Sequence, residues 1–173
     1  MARLAEHQGK SLLRSAGIRV PRGSVARSGA AAGEAAAAVG FPCMVKIQAW
    51  ATGRAGMGGV VVVQSQAEAA GHAARMLAMT VGQFPVTEVL VEERLELARE
   101  LFVSLSIDDR ERAPVLLLAA SGGSGIEERA AEVRRIGCDP ERGPDAAAVE
   151  SAVALFGLAP AVASAVRATI TKV

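Results

Sequence analysis

Residues 45–63 read VKIQAWATGRAGMGGVVVV. An apolar run carrying one lysine gives way to a loop with four glycines and a single arginine, and four valines close the stretch. Two readings fit these residues: a phosphate-binding loop between two strands, or a flexible hairpin turn. No Gly-Lys-Ser/Thr ends the loop, so it is not a Walker A element. Gly53, Gly56, Gly58 and Gly59 lack the dinucleotide-binding spacing, and a strand-like run follows them in place of a helix. What remains is a loop whose glycines let backbone approach a ligand, with Arg54 able to offer a fork of donors to phosphate. Lys46 lies between Val45 and Ile47, so strand alternation sends it to the opposite face from those neighbours, toward either a ligand or solvent.

Outward from this stretch the chain alternates helical and extended patterns. Leu4, Leu12, Leu13 and Ala16 fall near one face of an N-terminal helix that Gly17 is placed to end. Pro21 makes IRVPRGSVA extended. Residues 30–39 are alanine-rich and helix-prone up to Gly40, CMVKIQ and VVVV read as strands, and 66–79 as a helix with Ala69, Ala73, Met76 and Leu77 on one face. Runs 87–92, 99–107 and 114–120 are strand-like. The last two flank the turn sequence DDRE and predict an antiparallel hairpin. DPERGP at 139–144 is a rigid turn, and 145–156 and 160–170 are helical. Hairpins mixed with crossovers predict an α+β fold. Gly40-Phe41-Pro42 and QFPVT bracket a small lobe over 21–92.

The bulk properties narrow the function. The 173 residues are 51% hydrophobic and 21% charged, which describes a folded chain with a real core. The 19 basic and 18 acidic residues nearly cancel, and with no Tyr, one Trp and four Phe neither nucleic acid nor an anionic membrane is an expected partner. Cys43 and Cys138 are far apart, with no zinc spacing around them, and read as reduced, buried residues. The N-terminus has no apolar leader core and no run spans a membrane, so a cytoplasmic location is expected.

Three further features carry chemistry, each beside a plainer reading. Glu92 ends the run VLVE and Glu100 begins ELFVSL. Such acids either accept from a ribose or a nucleotide amine, or are solvated and balanced by Arg94 and Arg99. SGGSGIEE at 121–128 is either an anion-binding loop before a helix or a simple connector. His7 and His72 lie in helical patterns without metal-ligand spacing, so neither supports a catalytic triad.

Together these segments resemble the ATP-grasp, nucleotide-binding portion of succinyl-CoA synthetase β subunits and related ADP-forming acid–CoA ligases. EHQGKSLLRSAGIRVP is similar to the family's start through Glu6, Gln8, Lys10, Gly17 and Pro21. VKIQAWATGRAGMGGVVVV resembles its strand–loop–strand, LVEERLELARELFVSLSIDDR its hinge and hairpin, and SGGSGIEE and DPERGP two later loops in the same order. The resemblance implies a truncated ATP-grasp fold with a nucleotide cleft between two α+β lobes, 21–92 forming the smaller and 1–20 with 93–173 the larger. It implies ATP or GTP as nucleotide, with Lys46 on phosphate, Gly53, Arg54 and Ala55 in the covering loop, Glu92 and Leu95 near the adenine, and Glu100 near the ribose. Ser121, Gly122, Gly123 and Gly125 would approach a phosphohistidine on an α-like, CoA-binding partner. Mg²⁺ ligands are expected beyond residue 173, so this chain alone is expected to be inactive. The family loop usually reads Gly-Gly-Arg-Gly-Lys-Ala-Gly-Gly; here 52–59 read TGRAGMGG, without the lysine, and Leu95 replaces a small or polar residue. The alternatives are a non-catalytic nucleotide-binding module and an ATP-grasp ligase that does not use CoA.

Overall fold

A computed structural model describes residues 3–51, 53–123 and 131–172. It divides into two compact units, Met1–Glu96 and Leu97–Val173. The N-terminal helix falls within the first of these units.

The first unit contains helix α1 (Glu6–Ser15), strand β1 (Gly23–Ala26), helix α2 (Gly29–Val39), strands β2 (Cys43–Ile47) and β3 (Val60–Val63), helix α3 (Gln66–Leu77), the short pair β4 (Thr80–Val81) and β5 (Phe84–Pro85), and strand β6 (Val89–Glu93). Four strands form an antiparallel sheet in the order β1-β6-β2-β3. Cys43, Val45, Ile47, Val63, Val89 and Val91 point to one face, where they meet Ala32, Ala36, Ala69, Ala73 and Met76 of α2 and α3. Ser28 and Ser65 cap these two helices, each accepting a hydrogen bond from the third residue on, Ala31 and Glu68. Small residues let α2 and α3 close on each other: a Cβ on Gly29 would lie 2.7 Å from the Ala70 carbonyl oxygen.

Alternation along β2 and β6 leaves Met44, Lys46, Leu90 and Glu92 for the other face. In the register Lys46 lies opposite Leu90 and Met44 opposite Glu92, which makes Lys46 and Glu92 diagonal neighbours. Helix α1 contributes ionic partners to this face. None of its residues is buried, and Leu4, Leu12 and Leu13 are exposed, so the apolar stripe read from the sequence is not packed away.

The second unit contains strands β7 (Phe102–Asp108), β8 (Ala113–Ala119), β9 (Arg134–Asp139) and β10 (Gly143–Pro144), then helices α4 (Ala146–Ala154) and α5 (Pro160–Ile170). The sheet runs β10-β9-β8-β7, antiparallel throughout. The expected 99–107/114–120 hairpin is present, with Asp108 accepting from the N–H groups of Arg110 and Glu111 in the turn. Asp139 does the same for Glu141 and Arg142 within DPERGP. Leu116, Leu118, Ile136 and Cys138 from the sheet pack with Val149, Val153, Phe156 and Ile170. Strand β9 was not expected, because only Ile136 and Cys138 mark its buried face.

Candidate functional site

The loop between β2 and β3 is an organised chain of turns. Gly56, Gly58 and Gly59 donate N–H bonds to the carbonyls of Gly53, Ala55 and Arg54, at 3.0, 3.1 and 2.8 Å. Gly59 is buried where the loop rejoins the sheet, its carbonyl accepting from Ile47 N at 2.8 Å. A Cβ at Gly59 would stand 2.5 Å from Ile47 Cδ1, so the return path requires glycine. Gly53 and Ala55 are exposed.

This loop delivers Arg54 inward. Its Nη1 donates to the Ile47 carbonyl at 3.1 Å, and its Nη2 to Glu6 Oε2 at 2.8 Å. Lys46 donates to Glu6 Oε1 at 3.3 Å and pairs with Glu92 Oε1. Lys10, one helical turn beyond Glu6, donates to Glu6 Oε1 at 2.8 Å and to Glu92 Oε2 at 2.5 Å. Lys10, Lys46 and Arg54 therefore converge on Glu6 and Glu92, with one positive charge in excess.

Glu92 is 2% exposed, and both its oxygens are engaged by lysines. Of the two readings left open for it, the solvated acid balanced by Arg94 and Arg99 is not what forms; its partners are Lys10 and Lys46. Room for this carboxylate comes from Gly23, directly opposite in β1. A Cβ there would lie 2.6 Å from Glu92 Cβ and 2.3 Å from the Val91 carbonyl oxygen.

The charges shape one another. Burial by itself would raise the Glu6 carboxyl, but the Lys10 hydrogen bond, the Lys46 and Lys10 charges and the Arg54 bond hold it at about 2. Burial would likewise lower Lys46, yet the hydrogen bond and charge of Glu92 and the charge of Glu6 raise it above its ordinary value. Lys46 is thus a full cation at neutral pH. Glu6 and Arg54 also line a concavity of about 420 Å³ with Leu4, Ala49, Trp50 and Ala51. An arrangement of this kind can receive a multiply charged anion.

Of the other expected residues, Leu95 is 50% exposed and belongs to the first unit. Glu100 belongs to the second unit, where its carbonyl accepts from Gly122 N at 3.0 Å. A Cβ on Gly123 would stand 2.9 Å from Glu100 Oε2, so Glu100 and the 121–123 segment are immediate neighbours. Ser121 donates to Glu132 at 3.1 Å. Gly125 lies outside the described residues. His7 contacts Gln48 and Glu88, and His72 contacts Arg75. Both cysteines are buried and free, and burial pushes the Cys43 thiol up.

Sequence reasoning did not place Glu6 and Lys10 in the site. They are 40 and 82 residues from their partners Lys46 and Glu92, and only their i, i+4 spacing on one helix face signalled a shared task. Among the described residues, no three His, Cys, Asp or Glu side chains gather to hold a metal ion, so no step is assigned to one. No helix of the described residues is long and apolar enough to cross a membrane.

A family model of the ATP-grasp domain matches residues 3–173. The succinate–CoA ligase [ADP-forming] subunit beta of Halorubrum lacusprofundi is 34% identical over 158 residues, 91% of this chain and 39% of that protein. The same-named subunit of Halorhodospira halophila is 40% identical over 148 residues, 80% of this chain and 36% of that protein. The chain spans about two-fifths of the length of these relatives. Among solved structures, a dinucleotide forming acetyl-coenzyme A synthetase 1 of Ca. Korarchaeum cryptofilum, in complex with coenzyme A, Ca-AMPCP and HgCl+, has a TM-score of 0.78. It covers 98% of this chain and 77% of that one at 22% identity, a likeness of fold. A Pyrococcus horikoshii Ot3 structure gives a TM-score of 0.75 at 16% identity, covering 98% of this chain and 74% of that one. With the family model matching almost end to end, the chain belongs to the ATP-grasp family.

Proposed function

We propose that this chain is the nucleotide-binding, ATP-grasp part of an ADP-forming acid–CoA ligase. The observation that carries the reading is the convergence of Lys10, Lys46 and Arg54 beside a glycine loop, with positive charge in excess. In this reading the polyphosphate of ATP or GTP lies against Lys46 and Arg54, covered by residues 53–55. Glu92 holds the two lysine ammonium groups in place from below. Magnesium accompanying the nucleotide would supply charge neutralisation for phosphoryl transfer, and none of the described residues is assigned to hold it. For the second unit by itself, the reading assigns Glu100 to a ribose and Ser121, Gly122 and Gly123 to the approach of a phosphohistidine on an α-like, CoA-binding partner. The similarity to succinate–CoA ligase β subunits supports this choice over an ATP-grasp ligase that does not use CoA.

Calorimetric titration with ATP and GTP tests the reading. Lys46→Ala and Arg54→Ala each remove a charge-assisted hydrogen bond worth about 1.5–3 kcal/mol, so affinity should fall about ten- to a hundredfold. Unchanged binding in both variants would show that the phosphate site lies elsewhere.

A further inference from the structure

The two carboxylates of the cluster differ in how they are held. Glu92 sits in β6, inside the sheet, and is almost wholly buried. Glu6 is the first residue of α1, its side chain is 21% exposed, and it faces the concavity that Arg54 also lines. Its two oxygens take bonds from two ammonium groups and one guanidinium, the donor set that a phosphate group takes from a protein. We propose that the Glu6 carboxylate is an internal occupant of the phosphate subsite, and that an incoming polyphosphate displaces it from Arg54 and Lys46. The inference rests on the nucleotide reading above and names the group that the nucleotide must replace.

Three physical points support it. Arg54 commits Nη1 to the Ile47 carbonyl and Nη2 to Glu6, so a phosphate approaching the Nη2 side competes with Glu6 directly. The carboxylate, held at about 2, competes at neutral pH as a full negative charge. Once Glu6 leaves, Lys10 and Lys46 keep Glu92 as a shared counter-ion, so neither is left unpaired. An anion carrying a single charge gains little by exchanging with Glu6, whereas a triphosphate brings several charges to the same donors. The internal carboxylate thereby selects for polyphosphates.

The test uses the full chain, titrated with sodium tripolyphosphate, inorganic phosphate and ATP. Trp50 is the only tryptophan and lines the same concavity as Glu6 and Arg54, so its fluorescence reports events there. Glu6→Gln keeps the shape and an accepting oxygen but removes the charge. It should tighten tripolyphosphate binding about three- to fivefold, the worth of one partly exposed ion pair, and narrow the preference over inorganic phosphate. Equal or weaker tripolyphosphate binding by Glu6→Gln would overturn the proposal. A second measurement needs no variant: hydrogen exchange of the α1 amides should quicken on saturation with tripolyphosphate, because two of that helix's ionic tethers are released. Slower or unchanged exchange would count equally against it. If Lys46→Ala abolishes binding while Glu6→Gln weakens it, the phosphate site stands and only the displacement fails. If neither the wild type nor any variant binds, both readings fall.

Discussion

The two units solve the same packing problem with different materials. In the first, α2 and α3 close over the sheet through alanine and glycine, and the largest wholly buried side chains are Ile47 and Met76. In the second, Leu116, Leu118, Val153, Phe156 and Ile170 fill the space between sheet and helices. The first unit also carries a buried carboxylate, with two lysines on it, on the opposite face of its sheet. The buried carboxylate therefore sits on the sheet whose two helices pack through alanine and glycine. Small residues bring the helix backbones near, and what is lost in side-chain volume has to be recovered by close fit.

The largest expected effect tests the ionic half of this comparison. Glu92→Ala leaves Lys10 and Lys46 half-buried with only Glu6 between them, and should cost about 3–5 kcal/mol in urea-induced unfolding of the first unit. In the second unit the Arg167–Glu150 pair at 2.9 Å is largely exposed on its acid side. Glu150→Ala should change stability by less than about 1 kcal/mol. Equal losses in the two variants would erase the distinction between the units.

The apolar half is tested by opposite substitutions. Leu118→Ala opens a cavity in the second core and should cost about 2–5 kcal/mol. In the first core the sensitive direction is enlargement: Ala36→Leu, at a position with no exposure, should cost about 1–3 kcal/mol through overpacking. Chemical denaturation of both variants reads the difference.

The smallest effect is on acid stability. The Glu6 carboxyl is lowered in the folded chain from an ordinary value of 4.5 to about 2, so its stabilising contribution is fully present above about pH 4.5 and is lost as pH falls toward 2. Thermal melts of wild type and Glu6→Gln should therefore differ most near neutral pH and converge at the acid end. Parallel curves across that interval would show that Glu6 does not titrate against the cluster.

Much of the fold was legible because its signals are local. Gly40 ends α2, Pro21 precedes an extended segment, DDRE joins β7 to β8, and the alternation of Val45, Lys46 and Ile47 correctly put the lysine on the face away from the core. Strand β9 escaped because only Ile136 and Cys138 mark its buried face, and Gly137 between them weakens the strand signal. The two-residue strands β4 and β5 are too short to leave a period. In the site, the glycine loop and Lys46 announced themselves, whereas Glu92 read as readily as a solvated acid. Its burial depends on three distant residues: Lys10, Lys46 and the facing Gly23 that makes room for it. No window of neighbouring residues contains that information.

Helix α1 buries none of its residues, and its described side-chain links to the sheet and loop run through Glu6, His7 and Lys10. A helix seated by apolar contact is not loosened by charge screening, but one seated by charge is. Raising ionic strength should therefore loosen α1 well before it disturbs α2 or α3. The N-terminal segment behaves as an electrostatic clip, with a grip set by the solution as much as by the sequence.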